Sequence, residues 1–181
     1  MSNALEVLAE LQNHRLPDNW ALQIGKKTLV RLILEAAEGI EIGGTGAGSA
    51  AGAGDAFRPT MMLTLLTYCY AAGVYGSGDI ELEIRRDRMT RYLCAKSYPD
   101  IDAIRSFRRR HRAKIKQCLA ALLCRVWELR SSGDAPRPSD DLYVSYSLRR
   151  WTDVIPAPNF DREAEARITR AVLADSMALD V

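Results

Sequence analysis

The chain has 181 residues, 48% of them apolar and 27% charged, and a net charge of only +2. The apolar fraction argues against disorder for most of the chain, and the length suits one ordinary domain with its own core, or one domain plus tails. Sparse aromatics among many Ala, Leu and Arg favour helix over strand. The expected fold is all-α: a compact multi-helix domain with one long basic, amphipathic helix near its C-terminal end, a flexible Gly/Ala loop and a short helical tail.

Leu5, Leu8 and Leu11 recur at helical spacing and predict a short amphipathic helix, which Leu16-Pro17-Asp18-Asn19 breaks. Leu29, Leu32, Ile33 and Ala36 share one face of a stronger helix over 26–38, stopped by Gly39. Residues 43–54 read GGTGAGSAAGAG, with no large side chain to bury, and predict a flexible loop. No G-x-G-x-x-G fits its register and no G-K-[ST] follows, so it is not a phosphate loop. Pro59 opens a helix over 60–72 that Gly73 closes. The apolar run at 61–74 carries Tyr and Thr and is too short to span a bilayer.

Tyr75-Gly76-Ser77-Gly78 is a turn, after which Ser77 or Asp79 caps a helix reaching about Arg86. A short helical piece over 88–94 ends before Ser97-Tyr98-Pro99. Asp100 or Asp102 then caps the longest expected helix, over 101–131. The prolines and acids that follow predict a linker over 131–141, separating a domain over 1–130 from a tail over 142–181. Within the tail, Tyr143, Val144 and Tyr146 leave 142–151 open between helix and a short strand. Ala166, Ile168, Val172 and Leu173 predict a terminal helix over 161–178.

Charge is placed unevenly. Residues 85–116 hold twelve basic side chains against Asp87, Asp100 and Asp102, a balance of +9 that leaves −7 for the rest of the chain. On the helix over 101–131, Ile104, Phe107, His111, Ile115, Cys118, Leu122, Val126 and Leu129 form an apolar stripe. Arg105, Arg109, Arg112 and Lys116 lie on one flank, with Arg110 and Lys114 on the other. Arg105–Arg109, Arg108–Arg112, Arg110–Lys114 and Arg112–Lys116 are like charges at i,i+4, each costing a few tenths of a kcal/mol. No acid between Asp102 and Glu128 relieves them. This one-sided pattern points to an external anion, with nucleic acid ahead of a solvated face or an acidic protein partner. The abundance of Arg suits bidentate phosphate or guanine contacts. The candidate DNA-binding residues are Arg85, Arg86, Arg91, Arg105, Arg108, Arg109, Arg110, Arg112, Lys114 and Lys116. Arg108 is the ambiguous member: at the edge of the stripe, it either reaches DNA or pairs internally with an acid such as Glu81 or Asp87.

Cys69, Cys94, Cys118 and Cys124 form no C-x-x-C pair and sit among apolar residues, which reads as reduced, buried thiols of a cytoplasmic protein. The start is polar and acidic, with no basic flank before an apolar core, unlike a secretory signal. His14 and His111 lack metal-ligand spacing, and His111 on the apolar face reads as a hydrogen-bonded core residue. There is no G-x-S-x-G and no plausible Cys–His pair. No catalytic residue, metal site, cofactor or small-molecule substrate is expected.

An ordered series of motifs adds a family resemblance. It runs Phe57-Arg58-Pro59; Met62-Leu63-x-Leu65-Leu66-x-Tyr68-x-Tyr70-Ala71-x-Gly73; Ser77-x-x-Ile80-Glu81; Asp87-x-x-x-Arg91-Tyr92-Leu93; Pro99-Asp100-x-x-x-Ile104-x-x-Phe107-Arg108-Arg109-Arg110-His111. With Leu16-Pro17 and Leu29-Val30-Arg31-Leu32-Ile33 upstream, this series resembles the N-terminal domain of DDE-type bacterial insertion-sequence transposases over residues 16–130. The resemblance implies a helical domain that helps recognise the element's terminal repeats and assists assembly on DNA. It also implies that catalysis belongs to a separate RNase H-like domain, where three acidic residues hold two metal ions. Two departures stand out. Ile101-Asp102-Ala103 replaces the His-[ST]-Thr that commonly follows Pro-Asp in that family. The 50 residues after 131 are too few for an RNase H-like fold, which needs roughly a hundred or more. The function expected is therefore a transposase-derived DNA-binding protein without a catalytic domain, acting in DNA transposition or recombination. The competing expectation is a helical interaction module that associates with a separate transposase catalytic chain, or with itself, without touching DNA.

Overall fold

The computed structural model describes residues 16–42, 57–131 and 158–178. The helix expected over 5–11, the Gly/Ala run at 43–54, residues 132–141 of the linker and the stretch 142–151 lie outside the described residues. Within them the chain is all-α, without a strand. The elements are α1 (Trp20–Ile24), α2 (Lys26–Glu38), α3 (Pro59–Ala71), α4 (Ser77–Arg86), α5 (Arg88–Leu93), α6 (Ile101–Arg110), α7 (Arg112–Ser131) and α8 (Phe160–Met177).

The run at 61–74 supplies most of α3, the central helix of the core. Every residue of α3 from 61 to 71 is buried. A helix apolar on all sides belongs in the middle of a fold, and α2, α5, α7 and α8 pack around this one. Pro59 sits in its first turn, where a missing N–H costs nothing. Gly73 ends it at a φ of 82°, and a Cβ there would lie 3.1 Å from the Asp18 carbonyl oxygen. That position therefore needs glycine both for its backbone and for the close approach of the segment before α1. α2 buries Leu29, Val30, Leu32, Ile33 and Ala37 as one stripe.

Two expectations need correction. The helix over 101–131 is two helices. α6 and α7 meet at His111 (φ −115°, ψ 23°), and the chain bends there. The apolar periodicity cannot register this bend, because i→i−4 hydrogen bonds continue on both sides: His111 N donates to Phe107 O at 2.9 Å and Ile115 N to His111 O at 3.0 Å. The bend gives the two halves different partners. α6 packs on α4, while α7 runs along α2, α3 and α8. His111 is half-buried, its ring 4.4 Å from that of Phe107.

The second correction concerns α4. Ser77 is its first helical residue rather than its cap, and the carboxylate that receives the Ser77 N–H comes from Asp175, 98 residues away. The terminal helix expected over 161–178 is α8. Its inward positions are Ala164, Arg167, Ile168, Ala171 and Asp175, while Val172 and Leu173 of the pattern that predicted it are 40% and 57% exposed. Two of the inward residues are ionisable, which an apolar count assigns to the wrong face. Ala164, Ile168 and Ala171 nevertheless join the same hydrophobic cluster as Leu16, Leu63 and Leu122, so α8 belongs to the core shared by α1 to α7. Among the described residues, no helix is long and apolar enough to cross a membrane.

Candidate nucleic-acid interface

The ten basic candidates separate into distinct environments once α8 is in place. Arg108, in the last turn of α6, is 4% exposed. Its Nη1 donates to Tyr70 Oη at 3.1 Å, and its Nη2 donates to Ser77 Oγ at 3.0 Å and to the Asp175 carboxylate. Asp175 also accepts from Ser77 N and Ser77 Oγ, both at 2.7 Å. Burial works against the charged carboxylate, but the Ser77 donors and Arg108 overcome it and hold the Asp175 carboxyl below its usual range. For Tyr70, burial outweighs the neighbouring guanidinium, and its hydroxyl is pushed up to about 12. Arg108 is therefore a structural cation and cannot reach a phosphate. Of the two readings open for it, the internal pair is the correct one, although the partner is neither Glu81 nor Asp87. Glu81 holds Arg85 at 2.6 Å, and Asp87 holds Lys26 at 2.5 Å while its other oxygen caps α5.

The same terminal helix engages three further candidates. Arg105 Nε lies 3.2 Å from Asp175 Oδ2, an ion-pair contact without hydrogen-bond geometry. Arg112 grips Glu165, with Nε donating at 3.0 Å and Nη2 reaching both Glu165 and Thr169. Lys116 Nζ is 4.0 Å from the other Glu165 oxygen. Arg105, Arg112 and Lys116 are half-buried rather than fully displayed, and their nearest anions belong to the protein.

What remains on the surface comes from the ends of several helices. Arg86 closes α4, Arg91 lies on α5 with Arg88, which was not among the ten, Arg109 is near the end of α6, and Lys114 is in the first turn of α7. The four arginines are exposed and Lys114 is half-buried. Among the described residues, none of these five side chains makes an ion pair or a hydrogen bond. Arg85 is exposed but held by Glu81, and Arg110 is exposed at the end of α6.

The residues that sequence reasoning missed lie on α8. Arg167 is fully buried. Its Nη1 donates to the carbonyl oxygens of Asp18 at 3.1 Å and Tyr70 at 2.9 Å, its Nη2 to that of Pro17 at 2.5 Å, and its Nε to Glu163 at 2.8 Å. It thereby satisfies a carbonyl at the end of α3 that no helical N–H can reach. One turn on, Arg170 binds Asp18 Oδ1 at 2.8 Å and lies over the Tyr75 ring. In the sequence, Glu163–Arg167 looks like an ordinary solvated i,i+4 pair. The one available hint was the −7 balance outside 85–116, part of which sits on α8 facing the basic helices.

Among the described residues, no group of three His, Cys, Asp or Glu side chains is placed to hold a metal ion. Cys69, Cys94 and Cys118 are buried free thiols, and burial pushes Cys94 and Cys118 up to about 11, away from nucleophilic use. Comparison with family models, characterised proteins and solved structures finds no match to this chain.

Proposed function

We propose that this chain is a transposase-derived DNA-binding protein that grips the duplex backbone without a catalytic step of its own. The observation that carries this reading is the set Arg86, Arg88, Arg91, Arg109 and Lys114, which make no ion pair among the described residues, in a segment where Arg85, Arg105, Arg108, Arg112 and Lys116 each have one. Cations with no ion pair among the described residues, drawn from four helices, suit phosphate contacts, which position a protein on DNA without reading its sequence. The ordered motifs over 57–111 supply the transposase part of the reading.

The test is salt dependence. Five phosphate contacts predict that log K for random duplex falls with log salt at a slope of about −4 to −5. Absence of duplex binding at low salt defeats this proposal. A second reading, an interaction module that docks on a transposase chain or on itself, is favoured by one specific observation: Val172, Leu173 and Met177 are exposed apolar side chains on α8. Self-association seen by sedimentation, abolished by a Leu173→Asp, Met177→Asp double variant and unaffected by salt, would support that reading instead.

A further inference from the structure

The loop between α5 and α6 has features that a plain phosphate grip does not need. Tyr92 and Tyr98 are 67% and 57% exposed, whereas Tyr68 and Tyr70 are buried in the core. Residues 88–98 contain Arg88, Arg91 and Lys96 and no acid. The acids on either side are already used: Asp87 caps α5 and holds Lys26, and Asp100 caps α6 through Ala103 N. The loop is anchored at both ends, by buried Leu93 and Cys94 and by buried Pro99, while 95–98 are all exposed. Its path is unusual. Ala95 and Lys96 both take positive φ, 47° and 68°, a region that side chains with a Cβ rarely adopt. Two hydrogen bonds hold it there, Ala95 N to Tyr92 O at 3.1 Å and Ser97 N to Cys94 O at 2.8 Å. This tight projection carries one cation and is bracketed by two largely solvent-facing tyrosines that stay outside the hydrophobic core cluster.

We propose that residues 88–98 form a site for unpaired bases, with Tyr92 and Tyr98 as stacking platforms and Arg88, Arg91 and Lys96 following the adjoining phosphates. The ligand class is single-stranded DNA, or the frayed or flipped-out nucleotides at the end of a duplex. Every base offers a π-face, so stacking on exposed aromatics tolerates sequence, and a cationic surround tracks the backbone. An intact duplex keeps its bases stacked on each other and has little use for the rings. The site rests on the DNA-binding reading and narrows it.

The experiment titrates the full chain with oligo-dT of about 16 nucleotides, and separately with blunt duplex, at one fixed low salt concentration. The parent binds dT. Tyr92→Ala and Tyr98→Ala each weaken dT binding by roughly 5- to 100-fold, while duplex affinity changes less than about twofold. Tyr92→Phe and Tyr98→Phe keep the ring and retain dT affinity. Both rings are exposed, so all four variants fold, which thermal melting checks. Lys96→Gly removes a cation from a position glycine adopts freely, so it melts no lower than the parent, binds dT more weakly and shows a shallower salt slope. Failure of the parent to bind dT overturns the site. So do unchanged dT affinity in the Ala variants and equal losses in the Phe and Ala variants. Loss of blunt-duplex binding alone defeats the duplex proposal, and the tyrosine comparison on dT then decides this one independently.

Discussion

Arg108 and Asp175 lie 67 residues apart, yet each completes the other's surroundings. A buried guanidinium with five donors must find acceptors, or it costs several kcal/mol to keep from water. Here Tyr70, Ser77 and Asp175 supply them from α3, α4 and α8. The planar fork matters more than the charge, because its two terminal nitrogens serve different partners. Arg108→Lys keeps the charge but cannot span those acceptors, and it is expected to lose about 1–3 kcal/mol of stability in urea denaturation. A lysine variant as stable as the parent would mean that charge alone is what the site requires. The dual character of Arg108 was legible from its place at the edge of the apolar stripe. Its partner was not, since Asp175 and Arg167 look like solvated helix residues in any polarity pattern. Only the docking of α8 turns them inward.

At the scale of helices, local chemistry was the readable part. Pro59, Gly39, Gly73 and Asp100 mark ends where backbone donors, acceptors or positive φ leave few alternatives, and the helices stop or start there. The bend at His111 and the exposed side of α8 were not readable, because both depend on which neighbour each half-turn meets. The same docking predicts how α8 tunes the basic surface. Glu165 competes with any phosphate for Arg112 and Lys116, in a pair whose side chains are roughly 40% exposed on both partners. Such a half-solvated pair contributes little to folding, about 0.5 kcal/mol. Glu165→Gln therefore leaves the melting temperature nearly unchanged. It releases up to two cations, raising duplex affinity about 3- to 10-fold at low salt and steepening the salt slope by roughly one to two units. Arg109→Ala, which breaks no ion pair seen in the fold, does the opposite and lowers the slope by about one. Fluorescence titrations at several salt concentrations separate the two. An unchanged slope in Glu165→Gln would place DNA away from the α7–α8 seam.

For the whole molecule, the uneven charge of the sequence is partly an internal balance. Carboxylates on α8 meet the basic side of α6 and α7, and Asp175 sits where α3, α4, α6 and α8 converge through Tyr70, Ser77, Arg105 and Arg108. This makes acid the natural way to loosen the assembly. The Asp175 and Asp87 carboxyls are both held below the ordinary carboxylate range, each despite burial, through hydrogen bonds and a paired cation. A carboxyl depressed in the folded state binds its proton more readily once unfolded. Its contribution is therefore complete above the ordinary carboxylate value and drains away as pH falls through the folded value. Urea midpoints are thus expected to stay level near neutral pH and to fall steeply from about pH 4 downward. Asp175→Asn tests the assignment, because it removes the titrating group but keeps its shape. At neutral pH the variant is less stable by about 3–5 kcal/mol, since Arg108 is left buried without a counterion. Toward pH 3 the parent approaches it, because protonation of Asp175 removes the same charge. Two curves running parallel from neutral pH to pH 3 would show that the acid-sensitive contact lies elsewhere, with Asp87 and its Lys26 partner next in line.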